Sequence, residues 1–168
     1  KGLDSNGNSF TDSFTGVPYV KSTRYNDVLD ASKGGDISLA PMGGADVIKG
    51  SQTHVTMVDY RWSESAVSVD LSRTSKQTVN AEGWAVSLSN VRAVRGSMFG
   101  DALIGGTADE WFSPREGNDT VSAGSGFDTV FYSSNRANYS VVVSEDDWSV
   151  TVTDNRSGSN NEGTDVLV

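Results

Sequence analysis

No cysteine occurs in the 168 residues, which removes disulfides, thiol nucleophiles and thiolate metal ligands together. Histidine is almost as scarce. His54 stands alone, so a zinc site built on imidazoles lacks its ligands, and no G-x-S-x-G elbow supplies a nucleophile for it. No apolar run approaches the roughly 20 residues that span a bilayer, and the opening "KGLDSNGNSF" lacks the apolar centre of a secretory signal. We expect any export signal to lie outside these residues. Positive charge is also short: 13 Lys and Arg stand against 22 Asp and Glu, a formal net charge of -9. Such a chain repels nucleic-acid phosphates and anionic lipid headgroups, and cations are its expected small partners. Only 36% of the residues are hydrophobic, while glycine occurs 18 times. That balance predicts many turns around a thin interior, so something besides a thick core must hold the fold.

What the chain does contain is a repeat within a repeat. At an offset of 74 residues, Val17 falls on Val91, Val20 on Val94, Asp27 on Asp101 and Leu29 on Leu103. Long periods of this kind are the mark of stacked architectures. The chain therefore reads as two tandem units, 17–90 and 91–168, preceded by a tail, 1–16, of some earlier region. The final "GTDVLV" stops in the middle of an expected strand, as in a piece cut from a longer protein.

Inside the second unit a nine-residue phrase runs from 96 to 131. Its sixth place holds Asp101, Glu110, Asp119 and Asp128, and its eighth holds Leu103, Phe112, Val121 and Val130. The first unit is more worn, over 22–58. Its sixth places are Asp27, Asp36, Asp46 and Val55, and its eighth places are Leu29, Ser38, Ile48 and Met57. One extra residue accompanies Ser38, and adjacent Leu39 is placed to take the inward role. Segments 66–71, 84–91 and 138–154 alternate in the manner of strands, the last of them as a hairpin around the acidic turn 145–147. These segments are expected to pair at the end of each coil and close it.

Nine is the period of neither a helix nor a strand. Six residues of bend and three of strand carry the chain across one side of a solenoid, and a second set brings it back. The predicted fold is an all-β parallel β-roll, with the eighth-place side chains stacked between two sheets about 10 Å apart. Each buried aliphatic side chain is worth roughly 1.5–3 kcal/mol, a meagre core for this many ordered residues. Strands two apart in sequence lie about 4.8 Å from each other, and so do their bends. Asp101 then stands beside Asp119, Glu110 beside Asp128, and Asp27 beside Asp46. Stacked carboxylates repel unless a cation lies between them, and ligation by oxygen alone suits calcium. Asp109, next to Glu110, is an alternative ligand. A bend that aims carbonyls at an ion needs glycine in its fourth place. Gly34, Gly44, Gly117 and Gly126 meet that need, whereas Tyr25, Thr53, Phe99 and Ala108 do not, so fewer ions are expected than a perfect repeat would hold. The other reading of the acidic column is that its aspartates cap their own bends without metal.

The phrase, most closely in "REGNDTVSAGSGFDTVFYSS", resembles the nonapeptide G-G-x-G-x-D-x-U-x of RTX, or haemolysin-type calcium-binding, proteins. The resemblance implies a parallel β-roll with calcium between successive bends, held by Asp27, Asp36, Asp46, Asp101, Asp109, Glu110, Asp119 and Asp128 with Gly117 and Gly126. It also implies type I export from a Gram-negative cell and calcium-driven folding outside. The expected role is a non-catalytic module that supports neighbouring domains of a larger secreted protein, an enzyme or an adhesin, with no active site in this chain. Of the four tryptophans, Trp84 and Trp148 read as caps of the coils. Trp62 and Trp111 are the candidates for an exposed ligand patch, since aromatic faces stack on sugar rings. They support the alternative, a calcium-dependent carbohydrate-binding module for an acidic polysaccharide or surface glycan.

Overall fold

The computed structural model describes residues 13–14 and 16–168, together with the backbone of a two-stranded antiparallel pair, β1 (Gly2–Leu3) and β2 (Ser9–Phe10). The rest of the expected tail lies outside the described residues. From Tyr19 onward the chain is an all-β roll, with no helix long and apolar enough to cross a membrane among the described residues.

One wall is a six-stranded parallel sheet. Numbered in chain order, it contains β3 (Tyr19–Lys21), β5 (Ile37–Ala40), β7 (Thr56–Asp59), β11 (Ala93–Arg95), β13 (Trp111–Ser113) and β15 (Thr129–Val130), stacked in that order. The opposite wall begins with β4 (Val28–Asp30), β6 (Ala45–Lys49) and β10 (Ala85–Ser89), parallel to one another. It continues through β8 (Ser68–Asp70), β12 (Ala102–Ile104), β14 (Thr120–Ser122) and β18 (Thr164–Leu167), again parallel. Between β10 and β8 runs a short reversed strand, β9 (Gln77–Thr78). It pairs antiparallel with β10 and leads into an antiparallel bridge between Val67 and Asn80. Beyond β18 the wall ends in the hairpin of β17 (Val150–Asp154) and β16 (Tyr139–Val143), which follows a single 3-10 turn, Arg136–Asn138.

Three-residue strands can send only their middle side chain inward, because successive side chains alternate. The core is accordingly two columns. Val20, Leu39, Val58, Val94, Phe112 and Val130 face Leu29, Ile48, Leu88, Val69, Leu103, Val121 and Leu167, with only the terminal members partly exposed. Leu39 does take the inward place beside Ser38. In 50–58 the frame is one residue later than the spacing predicts. Val58 points inward instead of Met57, and Thr56, fully buried, stands where Val55 was expected. From Leu29 to Leu39 and from Ile48 to Val58 the inward residues are ten apart instead of nine, because β5 and β7 each begin two residues before their inward side chain, and this accounts for the slip.

The segments expected to close the first coil do not close it. Residues 84–91 form β10, laid in register on β6 from Ala45↔Ala85 to Lys49↔Ser89. Residues 66–71 form β8, which carries β12. The chain leaves β7, runs ahead to β8, returns through β9, and fills the vacant place with β10 before β11 joins β7. The two units are thereby one stack. The acidic-turn hairpin in the second unit is present, at the far edge.

Candidate metal centre

The bends stack as the strands do, and they bring the sixth-place acids into register. Backbone N–H groups in one bend donate to the carboxylate of the next: Asp27 to Asp46 Oδ1 at 2.9 Å, Asp101 to Asp119 Oδ1 at 2.7 Å, and Glu110 to Asp128 Oδ1 at 2.9 Å. Each carboxylate of the ladder thus satisfies a main-chain donor, whether or not an ion is bound. The bends differ in what happens to the remaining oxygen.

At Asp27 and Asp101 the bend itself supplies the partner. Thr23 donates its N–H and hydroxyl to Asp27 Oδ2 at 2.9 and 2.7 Å. Ser97 donates its N–H to Asp101 Oδ2 at 2.6 Å and its hydroxyl to Oδ1 at 2.7 Å, where the Val67 N–H also arrives. Both hydroxyls stand four residues before the aspartate, in the bends whose fourth place is Tyr25 or Phe99. Glu110 likewise accepts the N–H groups of Gly106 and Ala108 at 3.2 and 3.3 Å. These three carboxylates cap their own bends. Asp36 and Asp109 are exposed and accept single N–H bonds, from Val55 and Phe127 at 2.8 Å each. Asp46 is buried, with Ser22 Oγ 3.5 Å from its Oδ2, and burial first, then the charge of Asp27, pushes it up to about 7. Asp128 is half-buried. Gly44, Gly117 and Gly126 hold the positive φ that their bends require, but Gly34 does not.

Asp119 has a different partner from any expected. Its N–H donates to Asp165 Oδ1 at 2.9 Å, so Asp165, near the start of β18, is the next rung of the column. Both aspartates are 1% exposed, and the second oxygen of each, Asp119 Oδ2 and Asp165 Oδ2, is buried without a hydrogen-bond partner. The residue four before Asp119 is Arg115 at φ 81°, which has no hydroxyl to offer. Burial first, then the charges of Asp165 and Asp101, push Asp119 up to about 8. Asp165 is pushed up to about 6 by burial, with the charge of Glu162 adding to it. The Tyr132 hydroxyl is also buried and unpartnered, and it is raised by burial and then by Asp165, Asp119 and Glu162. Glu162 is satisfied: Tyr139 and Ser133 hydroxyls donate to it, and Arg156 lies 3.8 Å away.

Asp165 was legible and was missed. "EGTDVL" (162–167) repeats "EGNDTV" (116–121), with Glu, Gly, Asp and the apolar eighth place at the same intervals. The hairpin inserted after 131 breaks the run of nine and hides the match. Gly163, at φ 86°, stacks directly on Gly117, and any Cβ there would overlap the Gly117 carbonyl oxygen.

Two orphaned carboxylate oxygens are hard donors of the kind that a calcium ion takes. Among the described residues no three acidic or histidine side chains gather around one point, so main-chain carbonyls or water would have to complete the shell. At this tier an oxygen of each aspartate is left without a partner, whereas Asp27 Oδ2 and both oxygens of Asp101 and Glu110 accept bonds from protein donors.

Of the aromatic candidates, Trp62 and Trp111 both lie on the outer surface of the first wall, half-exposed. Trp62 Nε1 donates to the Tyr19 hydroxyl at 2.9 Å with Lys21 Nζ 4.2 Å from its ring, and Trp111 meets Phe131 edge to face at 5.8 Å. Trp84 packs against the core. Trp148 does not cap the coil but stands 81% exposed in the β16–β17 turn. His54 is exposed and shares a hydrogen bond with Thr53. The fold and its bends define a parallel β-roll with a column of carboxylates. No protein-family model matches the chain, and no curated protein matches it.

Proposed function

We propose that the chain is a non-catalytic calcium-binding module of the RTX type, which folds outside the cell and stabilises neighbouring domains of a larger secreted protein. The observation that carries this reading is the pair of buried, unpartnered oxygens on adjacent bends, Asp119 Oδ2 and Asp165 Oδ2. Two carboxyl groups so buried, each with one oxygen unpaired, are costly to ionise together. A divalent ion held by Asp119 and Asp165 removes that cost and turns repulsion into a tie between layers. Oxygen donors without any nearby sulfur or imidazole favour calcium over a transition metal. The ion supplies charge and coordination, and the chain supplies two stacked bends that Gly117 and Gly163 allow to approach. Calorimetric titration of chelated protein with calcium tests the reading. Binding that Asp165→Asn abolishes is expected, whereas neither heat nor a rise in Tm on adding calcium would discard it.

A second reading, calcium-dependent binding of an acidic glycan, has its own observation in its favour. Trp62 docks on β3 and Trp111 projects from β13, four strand spacings away, roughly 19 Å along one face. The one acidic side chain among the outward positions of that sheet is Asp59. It is already bonded by Arg61 Nε at 2.8 Å and Arg95 Nη1 at 3.1 Å. Anions are thus not repelled from this face as they are from the bends. A glycan array probed in calcium separates the readings, since retention lost on Trp62→Ala or Trp111→Ala would establish the second.

A further inference from the structure

We propose that the roll balances the charge of its bends in two ways, with side chains of its own through the body of the stack and with a divalent ion at the Asp119–Asp165 tier alone, where the ion latches β18 and its hairpin onto a roll that holds without it. The identity of the ion rests on the calcium reading above; the division among bends is a separate claim, and it runs against the expectation that calcium folds the whole module.

The first support is Arg92. It occupies the sixth-place column of the first wall, with its N–H on Thr56 O at 3.2 Å and its own carbonyl accepting from Trp111 at 2.9 Å. In this tier a cation takes the place of the acid. Its guanidinium donates to the bend carbonyls of Gln52 at 3.2 Å and His54 at 3.5 Å, so carbonyls that a metal-binding bend would turn to an ion are turned to a side chain. Arg115 does the same one bend further on. Its Nη1 donates to Ser97 O at 3.4 Å, over the bend that Asp101 caps, and its charge favours ionised Asp101. The hydroxyls of Thr23 and Ser97 complete the pattern at Asp27 and Asp101.

The contrast is at the C-terminal tier. Among the described residues Asp119 Oδ2 and Asp165 Oδ2 accept no hydrogen bond; the Tyr132 hydroxyl lies close enough to Asp165 to favour its ionised form, and Arg156 is committed to Asp154. Asp165 lies within β18, whose ladder with β14 has two residue pairs, Thr120↔Val166 and Val121↔Leu167, with Ala123 N–H on the Val168 carbonyl and Thr164 N–H on Asn118 Oδ1 beside it. β17 and β16 attach to the roll's wall through β18. Repulsion between Asp119 and Asp165 therefore acts on the one strand that carries the hairpin, and among the described residues no other stacked pair of carboxylates leaves a buried, unpartnered oxygen on both members.

Hydrogen exchange of the 168-residue chain, compared in chelator and in calcium and read by segment, tests this alongside calorimetric titration. At calcium a hundred times Kd, amides of 139–154 and 164–167 should exchange about 100-fold more slowly, the mass-action factor, while those of 45–49, 56–59 and 93–95 stay unchanged. Asp165→Asn should erase the calcium effect on the hairpin. Arg92→Gln should speed exchange in 50–56 equally with and without calcium. Protection of 45–59 rising together with that of the hairpin would overturn the latch while leaving calcium binding intact, as would repair of Arg92→Gln by calcium. No binding heat with no change in any segment would remove the calcium reading and the latch with it. Should Asp165→Asn fail to fold, the comparison on the unmodified chain still decides.

Discussion

Gly163 carries a requirement that no other residue meets. Its φ of 86° is open chiefly to glycine, and the space a side chain would enter is filled by the Gly117 carbonyl. Gly163→Ala should therefore displace β18, lowering stability by about 2 kcal/mol or more and weakening calcium binding together, as urea denaturation and calorimetric titration would show. The carboxylates set the pH response. Asp46, Asp119 and Asp165 hold protons more tightly in the folded chain, up to about 7, 8 and 6, than at the ordinary aspartate value of 3.8 in the unfolded one. Folding then binds protons as pH rises from about 4 to about 8, and the stability owed to these groups falls through that window. In chelator, Tm should drop between about pH 5 and pH 8, and calcium, which binds the ionised form, should offset the drop. A metal-free Tm that climbs over the same interval would contradict the assignment.

Among elements, the bends divide by what stands four residues before the acid. Ser97→Ala removes a donor to buried Asp101 and an acceptor for the Phe99 N–H, and should cost about 1–3 kcal/mol with no change in calcium affinity. That division also marks how far the sequence could be read. The frame of 96–131 was plain because four phrases of nine run without a gap, and Leu103, Phe112, Val121 and Val130 all point inward as spaced. In 50–58 the frame differs because the interval between inward residues can lengthen from nine to ten without any signal in composition, and only the stacking of Val58 on Leu39 fixes it. The division among the acidic bends was not legible, since an aspartate in a bend looks the same in sequence whether or not a residue such as Thr23 caps it. The placement of β8 and β10 was out of reach: an alternating segment reveals that it is a strand but not which neighbour it joins, and β10 lies beside β6, some 40 residues earlier.

At the scale of the molecule, the tandem units share their ladders. β11 rests on β7 from Ala93↔Met57 to Arg95↔Asp59, and β12 rests on β8 from Ala102↔Ser68 to Ile104↔Asp70. Buried Asp59 of the first unit is paired with Arg95 of the second at 3.1 Å. Cutting the chain between Asn90 and Val91 would open Val58, Val69, Val94 and Leu103 to water at once. Calorimetry should accordingly show the body of the roll melting in one transition, and the fragment 91–168 alone should lack protected amides in β11 and β12. Separate melting of the two halves would show that the shared ladders contribute little.

β16 is the outermost strand of its wall and shows three valines in a row to solvent, Val141, Val142 and Val143, at 40, 63 and 58% exposure. Its outer backbone edge has the hydrogen-bonding row of an unfinished sheet, with no lysine or proline within the strand to discourage a visitor. Concentrated solutions should gather into strand-paired oligomers through this margin, and Val142→Lys should return them to a single sedimenting species.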